Sequence, residues 1–116
     1  MSGGRRPLPS EQMPPFLDEL RRWFEVYSDA GGRRGIRVQF TDGPPELPMR
    51  SALITAQGAA AIGQLTLWES GRCDTEAHAT RDRTPILLRS RVLDEPARVP
   101  AIADDLVDHV ADYSNS

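Results

Sequence analysis

The 116-residue sequence contains no lysine; all 14 basic residues are arginine. A single cysteine, Cys73, excludes an internal disulfide and any zinc site built from several thiolates. Aromatics account for only 6% of the chain, and no apolar run approaches the ~20 residues that cross a bilayer. Residues 1–13, rich in Gly, Pro, Ser and Arg, lack the apolar stretch of a secretory signal and read as a disordered leader. A reducing cytoplasm is therefore the expected compartment. With 17 acids against 14 arginines the net charge is −3, which argues against general nucleic-acid binding. The acidic surplus is local: residues 51–116 carry ten acids and six arginines. Exclusive use of arginine has a compositional explanation, GC-rich coding, and carries no functional weight.

What is present is enough for one core, since 39% of residues are hydrophobic and the length suits one domain. Residues 14–113 are expected to form it, with 114–116 as a tail. Pro14 and Pro15 suit the opening turn of a helix, where a missing N–H costs nothing. Phe16, Leu17, Leu20, Trp23, Phe24 and Tyr27 follow the spacing of one buried helical stripe, with Asp18, Glu19, Arg21, Arg22 and Glu25 opposite. Gly31 and Gly32 supply its left-handed stop. Residues 36–40 alternate as a strand with one wet face, and the prolines of 41–48 make a loop. Residues 49–55 predict a second strand of undetermined face. Residues 59–61 fit either a helical turn or strand.

The centre of the chain is more legible. Residues 62–68 and 72–79 read as two strands joined by a Glu69-Ser70-Gly71 hairpin loop with Gly71 left-handed. That loop pairs Leu67 with Cys73, Thr66 with Asp74, Leu65 with Thr75 and Gln64 with Glu76. Leu65, Leu67, Cys73, Thr75, Ala77 and Ala79 then share a dry face, and Trp68, Arg72, Asp74 and Glu76 share the wet one. A one-residue slip would bury both carboxylates, so the register is well specified. A turn at Asp82-Arg83 leads into a strand over 85–93, with Ile86, Leu88 and Val92 expected on the dry face and Arg89 and Arg91 on the wet one. In that register Glu76 faces Arg89 and Asp74 faces Arg91. A last helix carries Val99, Ile102, Leu106, Val110 and Tyr113 inward and Asp104, Asp105, Asp108 and Asp112 outward, with Asp112 opposed to the helix dipole. The fold class is α+β: two layers, an N-terminal helix, an antiparallel meander of about five strands and a C-terminal helix, both helices on one face of the sheet.

Catalytic machinery is scarce. Asp74, Glu76 and His78 form a D-x-E-x-H row, but residues i, i+2 and i+4 of a strand spread too far along it to close readily on one cation. His109 suits a helix end better than a general base. Cys73 on the dry face reads as a small core residue. Ser70-Gly71 lacks the G-x-S-x-G frame and joins two antiparallel strands. The run Gly31 to Gly35 lacks the Walker ending and leads from helix to strand, the reverse of a phosphate loop. No catalytic or cofactor-binding residue is assigned. The unusual feature is Trp68 on the wet face beside Arg72, Glu69, Asp74 and Glu76. It is either stacked by Arg72, covered by the 41–48 loop, or the anchor of a protein interface.

The segment from Leu65 to Glu76, with its W-x-S-G-x-x-D-x-E hairpin, followed by Arg91-Val92-Leu93 and a final helix, resembles the TriTu-type immunity proteins. The similarity in element order runs from about Phe16 to Val110. These are small cytoplasmic proteins of polymorphic toxin systems, frequent in actinobacteria. The resemblance implies a non-enzymatic protein that binds and neutralises a cognate protein toxin by occlusion and charge complementarity. Its expected contacts are Trp68, Glu69, Asp74 and Glu76, joined by Asp104, Asp105 and Asp108. Two other classes stand beside it: a secretion chaperone or adaptor holding a client segment, and a metal-dependent enzyme on Asp74, Glu76 and His78.

Overall fold

A computed structural model describes residues 13–44 and 46–115. Residues 1–12 of the expected leader, Pro45 of the expected loop and Ser116 of the expected tail lie outside the described residues. Met13, placed with the leader on composition, is 9% exposed and packs with the core.

The element order is α1 (Pro15–Asp29), β1 (Arg37–Asp42), β2 (Ser51–Gln57), β3 (Ala61–Trp68), β4 (Arg72–Ala79), β5 (Pro85–Val92), a 3-10 turn (Pro96–Arg98) and α2 (Val99–Ser114). The strands form one antiparallel meander in the order β1-β2-β3-β4-β5, leaving β1 and β5 as edges. Both helices cover the same face.

Helix α1 buries Leu17, Leu20 and Tyr27, and Phe16 and Trp23 pack at the margin of the core. Gly31 and Gly32, both at φ near +80°, end it. Gly32 N–H bonds back to Tyr27 O at 3.0 Å. The Tyr27 hydroxyl donates to Ile36 O at 2.6 Å and accepts from Arg33 N–H at 3.1 Å, which pins the connection into β1. Residues 59–60 form a bend and Ala61 opens β3, so the helical alternative for 59–61 is not adopted. In β2 the buried face is Ala52, Ile54 and Ala56.

Helix α2 lies against β3. A Cβ on Gly63 would come within 2.7 Å of Leu106 Cδ1 and 2.9 Å of Val110 Cγ2, so those side chains would have to shift to admit one. The buried set of α2 is Val99, Ala103, Leu106, Val107, Val110 and Ala111. The small residues Ala103 and Ala111 widen the contact stripe, whereas Tyr113, expected inward, is 38% exposed near the helix end.

The β3–β4 hairpin has the register read from the sequence, including Leu67 with Cys73 and Gln64 with Glu76, and Gly71 sits at φ +96°. The β4–β5 register does not. Glu76 faces Leu88, Asp74 faces Ser90, Thr75 faces Arg89 and Cys73 faces Arg91. Ile86 packs against the core as expected, but from Leu87 onward the faces of β5 are the reverse of those expected: Leu87 is buried, Leu88 and Val92 are 80% and 73% exposed, and Arg89 and Arg91 lie on the helix side. Two local features set this. Asp82 accepts from Thr84 N–H (3.0 Å) and Oγ1–H (2.7 Å) while Arg83 adopts φ +63°, closing the turn a step away from the expected position. His78 then faces Pro85 but Ala77 faces Leu87, so Ile86 is an extra residue in β5. The run Ile86-Leu87-Leu88 has no alternation of its own. The bulge turns Ile86 and Leu87 toward the core and leaves Leu88 outside.

Candidate functional site

With both helices on one side, the other face of the sheet has no second layer among the described residues. Strand alternation places on it Leu53 and Thr55 of β2, Ile62, Gln64, Thr66 and Trp68 of β3, Arg72, Asp74, Glu76 and His78 of β4, and Leu88, Ser90 and Val92 of β5. This face is mixed, with an apolar margin along β5 and a charged centre on β4.

Trp68 is partly exposed there, and the Arg72 guanidinium lies 5.1 Å from its ring centroid. Arg72 thus stacks on Trp68 as expected, and the indole remains partly exposed at the surface. Arg72 also reaches Asp74 Oδ2 at 4.0 Å, a loose ion pair. The other oxygen, Asp74 Oδ1, is buried and meets no hydrogen-bond donor among the described residues. Such an acceptor is costly to leave unsatisfied. Glu69 is held in the hairpin loop: its Oε1 accepts from Arg50 N–H at 2.6 Å, and its own N–H bonds to Arg50 O at 3.0 Å. That contact fastens the β3–β4 loop to the start of β2.

Glu76 is exposed and makes no ion pair among the described residues, because the β5 register gives it Leu88 where Arg89 was expected. With His78, Thr55, Ile62 and Gln64 it lines a shallow depression of about 160 Å³. Asp74, Glu76 and His78 stand in a row along β4, and among the described residues no three His, Cys, Asp or Glu side chains are grouped to hold a metal ion. Cys73, on the opposite side of the same strand, is buried. Burial pushes its thiol pKa up and Asp74 adds to that, against the pull of the Arg91 guanidinium.

The structure separates the acids that the sequence grouped together. Trp68, Asp74 and Glu76 share the open face, with Glu69 at its hairpin end. Asp104, Asp105 and Asp108 are in the helical layer, on the other side of the sheet, and each has a partner. Asp104 accepts from Trp23 Nε1–H at 2.9 Å and pairs with Arg33 at 3.0 Å. Asp105 meets Arg89 at 3.4 Å, and Asp108 meets Arg34 at 3.7 Å. Asp112, which works against the helix dipole, is 2.7 Å from Arg34. His109 Nδ1 bonds to Asp105 O at 2.9 Å within the helix. The α2 aspartates thus tie α2 to the α1–β1 connection and to β5. The sequence placed them outward correctly but gave no sign that Arg33 and Arg34 would arrive opposite them, about seventy residues away in the chain.

The residues that composition and periodicity missed are Leu88 and Val92. The only available signal was the three-residue apolar run at 86–88, which can follow either face.

Comparison with known proteins adds an independent observation. A search of curated proteins gives no match. The sequence profile of the family described as Immunity protein TriTu matches residues 18–109, from the first turns of α1 to near the end of α2. That span includes every strand and the whole open face, and the chain belongs to the TriTu immunity protein family.

Proposed function

We propose that this immunity protein neutralises a cognate toxin domain without turnover, by seating it on the open face of the sheet. One observation carries the reading: the face without helices presents Leu88 and Val92, 80% and 73% exposed, alongside the Trp68–Arg72 stack and Glu76, which has no ion pair among the described residues. Isolated exposed apolar side chains are ordinary, but an aromatic anchor with aliphatic neighbours and a polar centre is the composition of a binding surface. Affinity comes from removing this apolar margin from water. Asp74 and Glu76 add orientation, since acids at an interface speed encounter and reject like-charged partners. Inhibition follows from occlusion, so no catalytic group is required on this chain.

The α2 aspartates are left to the fold in this scheme. They point away from the open face and are matched by Arg33, Arg34 and Arg89. No observation here favours a client-holding chaperone, whose contact surface would be mainly apolar rather than divided by Arg72, Asp74 and Glu76.

The test is co-expression with a candidate cognate toxin domain, followed by titration calorimetry. Tight one-to-one binding is expected, and Trp68→Ala combined with Glu69→Ala should weaken it at least thirtyfold. Unchanged affinity in the folded double variant would remove the open face from the mechanism.

A further inference from the structure

The two edges of the sheet differ. On the open face, β1 presents Arg37, Gln39 and Thr41, a polar row of the kind that protects an edge from further pairing. The corresponding row of β5 is Leu88, Ser90 and Val92. Leu93 N–H bonds to Gly71 O at 2.9 Å, and hydrogen-bonded pairs alternate along an antiparallel ladder. The pairs Cys73–Arg91 and Thr75–Arg89 are then the hydrogen-bonded ones, so Leu88, Ser90 and Val92 turn their N–H and C=O groups away from β4. Among the described residues no other segment bonds to these groups.

The opposite row of β5 says what would fit. Arg89 and Arg91 lie on the helix side; Arg89 has Asp105 at 3.4 Å, and Arg91 has no carboxylate partner among the described residues. A second copy of this chain added antiparallel about Ser90 would set Leu88 against Val92 favourably but Arg89 against Arg91 twice, and like charges directly opposite are destabilising. The edge therefore disfavours its own copy while its apolar row and backbone groups remain available.

We propose that β5 takes up a strand of the toxin domain in which acidic residues alternate with apolar ones, extending the sheet to six strands. An acid meets Arg91, the apolar residues lie beside Leu88 and Val92, and the backbone of Leu88, Ser90 and Val92 completes the ladder. This inference rests on the toxin-binding reading above and names the partner element that the open face and its edge receive.

Amide hydrogen exchange on the full chain, free and in complex with the catalytically inactivated toxin domain, tests it directly. Exchange at Leu88, Ser90 and Val92 should slow at least a hundredfold in the complex. Ser90→Pro, which removes an outward N–H without touching the β4 ladder, should weaken binding at least thirtyfold, and Arg91→Glu at least tenfold. A complex that Trp68→Ala weakens but in which those three amides are unprotected would overturn strand addition and leave the open-face reading standing. Indifference to both Trp68→Ala and Ser90→Pro would end both. Protection of the same amides in the free chain with concentration-dependent dimerisation would identify a second copy as the occupant and overturn the proposal.

Discussion

Replacing Leu88 and Val92 together by serine separates binding from folding. In the free chain these side chains are 80% and 73% exposed, so their removal uncovers no core and creates no cavity. Surface substitutions of this kind stay within about 0.5 kcal/mol each, and the denaturation midpoint should barely move. The interface is another matter. Full burial of a leucine or valine contributes about 1.5–3 kcal/mol. Scaled by the exposure still available (80% and 73%), and discounted for the Cβ that serine retains, the pair represents about 2–4 kcal/mol of binding. At 1.4 kcal/mol per decade this is a loss of roughly 30- to 700-fold in affinity. Calorimetry or surface binding against the toxin domain, beside urea denaturation of the same variant, reads both quantities. A variant that unfolds at the wild-type midpoint and binds within threefold of wild type would refute the placement of the β5 margin in the interface.

Gly71→Ala should destabilise by about 2 kcal/mol or more, because a Cβ at φ +96° is strained and would lie 2.7 Å from Leu93 O; an unchanged urea midpoint would contradict that close approach. The Arg34–Asp112 pair is exposed, at 42% and 70%, so a double-mutant cycle should return a coupling of only about 0.2–1 kcal/mol, and a value above 2 kcal/mol would show that the contact is not the solvated one described. Thr84 hydrogen bonds hold the Asp82 pKa below its ordinary value. A lowered folded-state pKa means stability that is present at neutral pH and lost as pH falls through the acidic range below about 4. Asp82→Asn should therefore flatten the acid limb of the stability curve slightly, which stability measured from pH 6 to pH 2.5 would detect; an acid limb identical to wild type would exclude a role for this turn.

The element order, the β3–β4 register and the inward stripe of α1 were legible in the sequence because each rests on local information. A period of 3.6 or 2 and a glycine at a left-handed turn settle which side of an element is apolar before any partner arrives. The same logic placed Trp68, Asp74 and Glu76 on one face, and the W-x-S-G-x-x-D-x-E hairpin carried the family. What only the tertiary structure decided lies at β5 and α2. The turn geometry at Asp82–Thr84 and the extra residue Ile86 shift β5 by one position, and in a strand one position exchanges the faces. Leu88 and Val92 thereby became surface, and Arg89 became a partner for Asp105. The aspartates of α2 read as a free acidic face because the arginines that meet them come from distant segments. An alternating pattern records which side of an element is apolar; it holds no record of which charges the rest of the chain will bring to the other side.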